Sequence, residues 1–192
     1  MNAVQWEVDR AHTDIQFKAK HLMITTVTGH FRKYNLEVET NGEDFTKASK
    51  IIFTADINSI DTNNAQRDAH LRSEDFFNAK KFPELKFIGN RFEKLGDHYE
   101  LHGDLTIRDT SKSMTLTVKF SGVIIDQNGQ PRAGFTIDGK LSRKEFGLRW
   151  NAITEAGQLV VSDEIKMHCE IELVKQKGEE YAEEENEEHA VA

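Results

Sequence analysis

Apolar and polar residues alternate with a period of two along most of the chain. In the run from Tyr99 to Ile107, residues such as Leu101 and Leu105 fall on one side, and charged or polar residues fall on the other. This pattern is typical of antiparallel strands that have one buried face and one hydrated face. We predict eight or nine strands, near residues 4–9, 13–20, 29–40, 49–60, 83–95, 98–108, 113–126, 131–144 and 159–175.

Glycine-containing turns separate several of these runs and indicate how the strands connect. Asn41-Gly42 follows one strand, and the segments 95–97 and 126–129 each link two alternating runs, as in β-hairpins. Long strands in one antiparallel series curl, and closing them into a barrel removes their exposed edges. The predicted fold class is therefore all-β, with an antiparallel β-barrel.

One stretch, residues 61–72, lacks the period of two and predicts a short helical insert near residues 63–80. Asn63 can cap a helix, and Ser73 can cap a second short turn. Pro83 disfavours helix immediately before it and so ends the insert. A helical insert between strands is a candidate lid or plug for one end of the barrel.

Large and small residues are mixed on the predicted inner face. The sequence alone is compatible with two interiors: small residues could leave room for an apolar guest, or they could let a solid core taper. The large members are Phe17, Phe53, Phe87, Phe120 and Phe135, and the small ones are Ala19, Ala55, Gly103, Gly122, Ala133 and Gly139.

Charge is distributed unevenly along the chain. The net charge is −8, but residues 178–192 hold seven Glu and no Lys or Arg, which leaves about −1 for residues 1–177. We predict one domain over residues 1–177, followed by an acidic disordered tail over residues 178–192. A basic stripe is missing from both regions, so nucleic-acid binding is not expected.

Composition adds three expectations about the cellular setting. No apolar run approaches about 18 residues, so no integral membrane span is predicted. The N-terminus lacks the basic and apolar segments of a secretory signal, and Cys169 is the single cysteine. We therefore expect a cytoplasmic protein, with Cys169 as a buried core thiol.

Five segments in register resemble the YceI-like family. They run in order through the predicted domain, and the acidic tail lies outside the family pattern. The matching segments are Trp6 to Phe17, Val27 to Phe31, Arg67 to Phe77, Leu101 to Arg108 and Ser142 to Leu148.

The resemblance implies a lipocalin-like barrel whose hydrophobic lumen holds a long-chain lipid. Family members are associated with polyisoprenoids, including prenyl quinones and prenyl pyrophosphates, and in some cases with fatty amides. The function expected from the resemblance is binding, storage or transport of such a lipid, with no catalysis and no cofactor other than the bound lipid. Pairing into a homodimer is also common in the family.

From face parity and the resemblance together, we predict a ligand-binding set in the lumen and at its mouth. Arg67 and His70 share one helical face and could meet a pyrophosphate or quinone oxygen, or could instead tie the insert to the barrel. Arg143 has the same two interpretations, with Asp9 or Asp75 as its partner in the second. The full predicted set is Phe17, Ala19, His21, Phe53, Ala55, Arg67, His70, Phe87, Leu105, Leu116, Val118, Phe120, Phe135, Ile137, Arg143 and Trp150.

One alternative keeps lipid binding but has a fatty acid or fatty amide as the guest, and two others are different functions. An enzyme acting on a lipophilic substrate could use His70 and Arg67 as acid or electrophile. A solid barrel could serve as an interaction module through its acidic tail. Motifs for a serine hydrolase, a dinucleotide site or a zinc site are missing from the sequence, so neither catalytic residues nor metal ligands are predicted.

Overall fold

A computed structural model of the protein describes residues 3–176, which form one antiparallel β-barrel with a short helical insert. The predicted tail, residues 178–192, lies outside the described residues. The strands are β1 (Ala3–Val8), β2 (Asp14–His21), β3 (Thr25–Phe31), β4 (Tyr34–Asn41), β5 (Asp44–Asp56), β6 (Ile60–Asp61), β7 (Glu84–Leu95), β8 (His98–Ile107), β9 (Thr110–Ile125), β10 (Pro131–Ser142) and β11 (Val161–Lys175). Helix α1 spans Ala65–Arg72, and 3₁₀ turns occupy Ile57–Ser59 and Arg143–Phe146.

The barrel has eight strand positions around its circumference although it contains eleven strands. Strand β11 pairs with β2 along its first part and with β1 at its end, where Leu173 lies opposite Val8. Strands β1 and β2 therefore share one position of the barrel. Strands β3 and β4 share the next position, because β3 pairs with β2 and β4 pairs with β1. The all-β barrel predicted from the alternation is confirmed, and pairing of β1 with β11 closes it.

The prediction of a single strand over residues 29–40 was wrong in detail. The chain bends at Arg32 and Lys33, which separates β3 from β4. Strand β3 also begins earlier, at Thr25, where Val27 is the only apolar residue in four and no alternation is visible. The predicted hairpin turns at 95–97 and 126–129 do connect β7 to β8 and β9 to β10.

The helical insert begins one residue later than predicted. Asn63 takes a left-handed conformation (φ 60°), and Asn64 is the residue that caps α1, its side chain accepting a hydrogen bond from the Arg67 backbone N–H at 2.9 Å. Ser73 ends α1, and a second short turn follows it as predicted, before further turns lead to Pro83. Within residues 3–176, no helix combines the length and the hydropathy needed to cross a membrane.

Two glycines of the inner face make room for neighbouring side chains. A Cβ atom at Gly103 would overlap the ring of Phe87, and one at Gly139 would overlap the side chain of Leu116. The expectation that small inward residues leave empty space is therefore wrong at these two positions. Here glycine lets a large side chain lie across the adjacent strand.

Arg132 braces the outer surface where the first and last strands meet. Its guanidinium contacts the carboxylates of Asp9 at 2.7 Å, Asp126 at 2.7 Å and Glu172 at 2.5 Å. Hydrogen bonds from His12 and Arg132 lower the pKa of Asp9 from 3.8 to about 2. The ionised form of Asp9 is therefore favoured in the folded protein.

Replacing Asp9 by Asn is expected to destabilise the barrel by about 1 kcal/mol at neutral pH, because a charge-assisted contact that is partly screened by solvent is lost. The folded-state pKa lies below the unfolded one, so the contribution is complete above the unfolded pKa of 3.8. It disappears as the pH falls toward about 2. Urea unfolding of both proteins across this pH range measures the difference, and a constant difference down to the lowest pH would contradict the assignment.

Candidate functional site

An apolar cavity of about 260 Å³ runs through the interior of the barrel. Apolar cavities of roughly 150 Å³ already hold a guest the size of benzene. The predicted choice between a solid core and a cavity is thus resolved in favour of a cavity. Its wall comes from most strands of the barrel, including Ile15 on β2, Phe53 on β5, Leu105 on β8, Ile137 on β10 and Met167 on β11.

Several large apolar side chains of the wall keep part of their surface uncovered by protein. Phe17, Phe53, Phe135 and Ile137 are only half-buried although they point inward. Their free surface faces the cavity. Covering this surface with an apolar guest removes it from water and is favourable by about 25 cal/mol per Å².

One end of the cavity is closed by aromatic rings. Phe45 lies at the centre, with its ring centroid 4.9 Å from that of Phe135 and 4.8 Å from that of Trp6. Phe120 stacks on Phe135 at 4.9 Å, and Phe92 stacks on Tyr99 at 5.1 Å. This floor lies at the end of the barrel where the β4–β5, β7–β8 and β9–β10 turns are, and we call it the floor end.

The helical insert covers the opposite end, which we call the lid end. Leu71, Phe76 and Phe77 from the insert border the cavity. Arg108, in the β8–β9 turn, fastens the insert by donating to the carbonyl oxygens of Phe76 and Gly147, each at 3.2 Å. The predicted role of the insert as a lid or plug thus agrees with its position.

Arg143 is the one charged residue that borders the cavity within residues 3–176. It is 2% exposed and donates four hydrogen bonds to the backbone carbonyls of Leu148, Trp150, Val161 and Ser162. The prediction that it pairs with Asp9 or Asp75 was wrong, because the 3₁₀ turn at Arg143–Phe146 directs it into the loop before β11. Burial lowers the pKa of Arg143 from its ordinary value.

A guanidinium group has five N–H donors, so four carbonyl contacts leave one N–H of Arg143 without a protein acceptor. Its hydrogen bonds all go to neutral carbonyls, and the nearby Asp163 carboxylate acts on its charge without a direct ion pair among the described residues. The lid end of the cavity therefore carries a positive charge that is held mainly by backbone carbonyls.

Cys169 lies on the cavity wall, between Met167 and Ile171 on β11. Burial raises the pKa of its thiol to about 12. The thiol therefore stays protonated and acts as part of the apolar wall, as predicted from the alternation.

The cavity wall includes ten of the sixteen residues predicted to bind a ligand, and their contact with a ligand stays a prediction. They share inward parity on long strands or, for Arg143, a position at the start of the loop before β11. The ten are Phe17, Ala19, Phe53, Phe87, Leu105, Leu116, Val118, Phe135, Ile137 and Arg143.

Three other predicted residues lie in or on the barrel but away from the cavity. Ala55 is fully packed inside the wall, and Phe120 belongs to the aromatic floor. His21 has the inward parity of Ala19 but is the last residue of β2, beyond the rim of the barrel, and is exposed. Parity alone does not distinguish these environments.

Arg67, His70 and Trp150 lie outside the cavity on the lid end. Arg67 donates to the hydroxyl and the carbonyl oxygen of Thr62, both at 2.7 Å, which ties the insert to itself. The ring of His70 packs edge-on against Trp150 at 4.6 Å, and its Nε2 lies 2.9 Å from the Asp75 carboxylate. The two polar residues thus hold the insert in place mostly through contacts within residues 62–75, and only the His70 ring reaches the barrel, at Trp150.

Several residues of the site have no signal in the sequence. Phe45 lies in the first part of β5, where polar residues follow in a row and no alternation appears. Leu71, Phe76 and Phe77 were visible only as part of a helical insert, whose side-chain directions depend on how it docks. Only the pattern of a lid over a barrel could have indicated them.

Two groups of histidine and acidic residues come close enough together to hold a metal ion. They are Glu93, Glu100 and His102, and Asp9, His12 and Glu172. Arg91 contacts Glu93 at 3.2 Å, and Arg132 contacts both acids of the second group. In each group, an arginine thus already pairs with at least one of the acids.

Comparison with known proteins shows which proteins this chain is similar to. The YceI-like domain matches residues 6–173. The protein YceI of Salmonella newport is 34% identical over 177 residues, which cover 91% of this chain and 89% of that protein. The crystal structure of a Campylobacter jejuni YCEI protein has a TM-score of 0.70 at 34% identity and covers 88% of this chain and 96% of its own.

A more distant structure shares the fold alone. It is a polyisoprenoid binding domain from Saccharophagus degradans, with a TM-score of 0.60 at 12% identity. The match covers 88% of this chain and 97% of that domain. The barrel fold is therefore shared by proteins of low sequence identity.

Proposed function

The chain belongs to the YceI-like domain family, and from this premise we propose that it binds a long-chain isoprenoid lipid in the barrel lumen. Guests of the prenyl quinone or prenyl pyrophosphate type would be stored or carried there without chemical change. The observation that supports this most is the apolar cavity, which extends from the lid to the aromatic floor. The fold as such is one that supports lipid binding inside a barrel.

The energetics favour a guest with a long hydrocarbon chain. Each CH₂-sized group moved from water into the cavity contributes about 0.8 kcal/mol before ordering costs are subtracted. Several isoprene units are thus sufficient for tight binding. Specific hydrogen bonds are needed only to orient the guest.

We place the polar end of the guest at the lid end, next to Arg143. The rest of the wall offers almost no polar group, whereas Arg143 has one N–H without a protein acceptor. A carbonyl, phosphate or phenol oxygen satisfies this donor, and the chain then points toward Phe45. Arg67 and His70 lie off the wall, which supports binding over catalysis.

Extraction of the purified protein tests this function. We expect organic extraction followed by mass spectrometry to recover, in about equimolar amount, a lipid with an isoprenoid chain and an oxygen-bearing end. Repeated recovery of nothing from protein made in a lipid-replete host would contradict lipid binding. Recovery of a pure hydrocarbon would leave lipid binding intact but contradict the placement of a polar end at Arg143.

A further inference from the structure

The lid end of the barrel exposes a group of large apolar side chains. Met23 and Ile24, at the β2–β3 turn, are 70% and 75% exposed, and Ile153 and Leu159, in the loop before β11, are 70% and 43% exposed. These four, which we call the apolar rim, are half of the eight large exposed apolar side chains among residues 3–176. Of the other four, Leu95, Ile124 and Ile125 lie near the floor end. An exposed apolar group of this kind is a candidate interaction surface.

The two loops of the apolar rim are joined and held in place. The Leu22 backbone N–H donates to the carbonyl oxygen of Val160 at 2.9 Å. Ile153 and Leu159 lie opposite each other in an isolated β-bridge, and the Asn151 side chain binds the backbone of Val160 and Val161. The rim is therefore preformed, and its exposure does not result from a loose segment.

The rim also lies next to the lid end of the cavity. Val161 borders the cavity and pairs with His21, the residue directly before Leu22. Because aromatic rings close the floor end, a guest enters or leaves at the lid end. An apolar guest avoids crossing water on its way to the cavity only if the rim is in contact with an apolar phase.

The charges around the rim favour an anionic surface. Over residues 20–26 and 149–161, Lys20 and Arg149 are positive and exposed, and Glu155 is the only acid. The rest of the described chain is slightly acidic, and Asp163 and Glu164 follow Val161 closely, so the excess of positive charge is confined to these two loops. Basic residues next to exposed apolar side chains are the combination that binds anionic lipid surfaces.

We propose that the apolar rim docks the barrel on a lipid bilayer that carries anionic headgroups, with Met23, Ile24 and Ile153 entering the interface. A second copy of the chain fits less well, because a stable protein interface uses roughly 20–30 residues on each side and the rim offers four. The inference rests on the proposed lipid function, since it assigns the route by which a guest reaches the lumen.

Vesicle flotation tests the docking. Wild-type protein is expected to float with vesicles of phosphatidylcholine that contain about one-third phosphatidylglycerol, and to float less with phosphatidylcholine alone or at high salt. Combining Ile24→Ser with Ile153→Ser should lower vesicle binding at least about tenfold. The matched control combines Ile124→Ser with Ile125→Ser, two side chains that are each 65% exposed near the floor end, and should float like wild type.

The outcomes separate docking from lipid binding. Binding of farnesol delivered in detergent is measured on the same proteins, and the rim variant is expected to keep it while losing flotation. Equal flotation of rim and control variants, or no flotation of wild type, overturns the docking. A wild-type dimer that the rim variant splits, without flotation, assigns the surface to a second copy and also overturns it. Wild type that floats but binds no farnesol leaves the docking supported and counts against the proposed function.

Discussion

Replacing Ala19 by Trp is expected to reduce lipid retention at least about tenfold, because the indole occupies space that the guest needs. Ala19 borders the cavity, opposite Ile165 and Val27 on the neighbouring strands. The added ring enters a cavity of only about 260 Å³. Because the ring extends into existing space and not into packed atoms, the melting temperature should change little or rise.

The adjacent position supplies the control. Lys18 points outward on the same strand, so Lys18→Trp adds the same ring on the hydrated face and should retain the lipid. Both variants and the wild type are purified in parallel, and the extracted lipid per protein is compared. Retention by Ala19→Trp equal to that of Lys18→Trp, with all three proteins folded, would place the guest outside the lumen.

The largest effect on stability is expected at Gly103. A Cβ atom there would overlap the carbonyl oxygen of Ile88 as well as the ring of Phe87, so a side chain can be placed only if backbone moves. Overpacking of this kind costs about 3 kcal/mol. For a domain of this size we expect Gly103→Ala to lower the melting temperature by roughly 6–12 °C.

Gly134 serves as the comparison, because it is also a strand glycine in the barrel. A Cβ at Gly134 would meet Ser121 at 3.4 Å, which is ordinary contact, so Gly134→Ala should change the melting temperature by no more than a few degrees. Thermal unfolding followed by circular dichroism measures both. Similar melting temperatures for the two variants would show that the inner face at Gly103 is loosely packed.

The faces of the long strands could be predicted from the sequence because their alternation is uninterrupted. Ile165, Met167, Cys169 and Ile171 all border the cavity, as their spacing on one strand requires. The barrel followed from strand length and the need to cover edges. That β1 and β2 share one position of the barrel could not be predicted, because it depends on which part of β11 each of them pairs with.

The candidate site was predictable along the walls and unpredictable at its two ends. Parity assigned Phe120 to the lumen, but whether an inward ring borders space or meets other rings depends on contacts between distant strands. At the mouth, Arg67 and His70 are held by Thr62 and Asp75, contacts that arise from the local turns of the insert. The glycines show the same limit, because the space beside a glycine is filled by whichever neighbouring side chain can reach it.

Pairing of the first strand with the last has a consequence for how the protein is made. The register that joins Trp6 to Lys175 and Val8 to Leu173 spans almost the whole described chain. The barrel can therefore close only after nearly the entire polypeptide has left the ribosome. Until then the apolar face of the sheet stays exposed to water. Such long-range contacts slow folding and leave intermediates prone to aggregation, so assistance during synthesis matters more for this protein than for a helical domain of equal size.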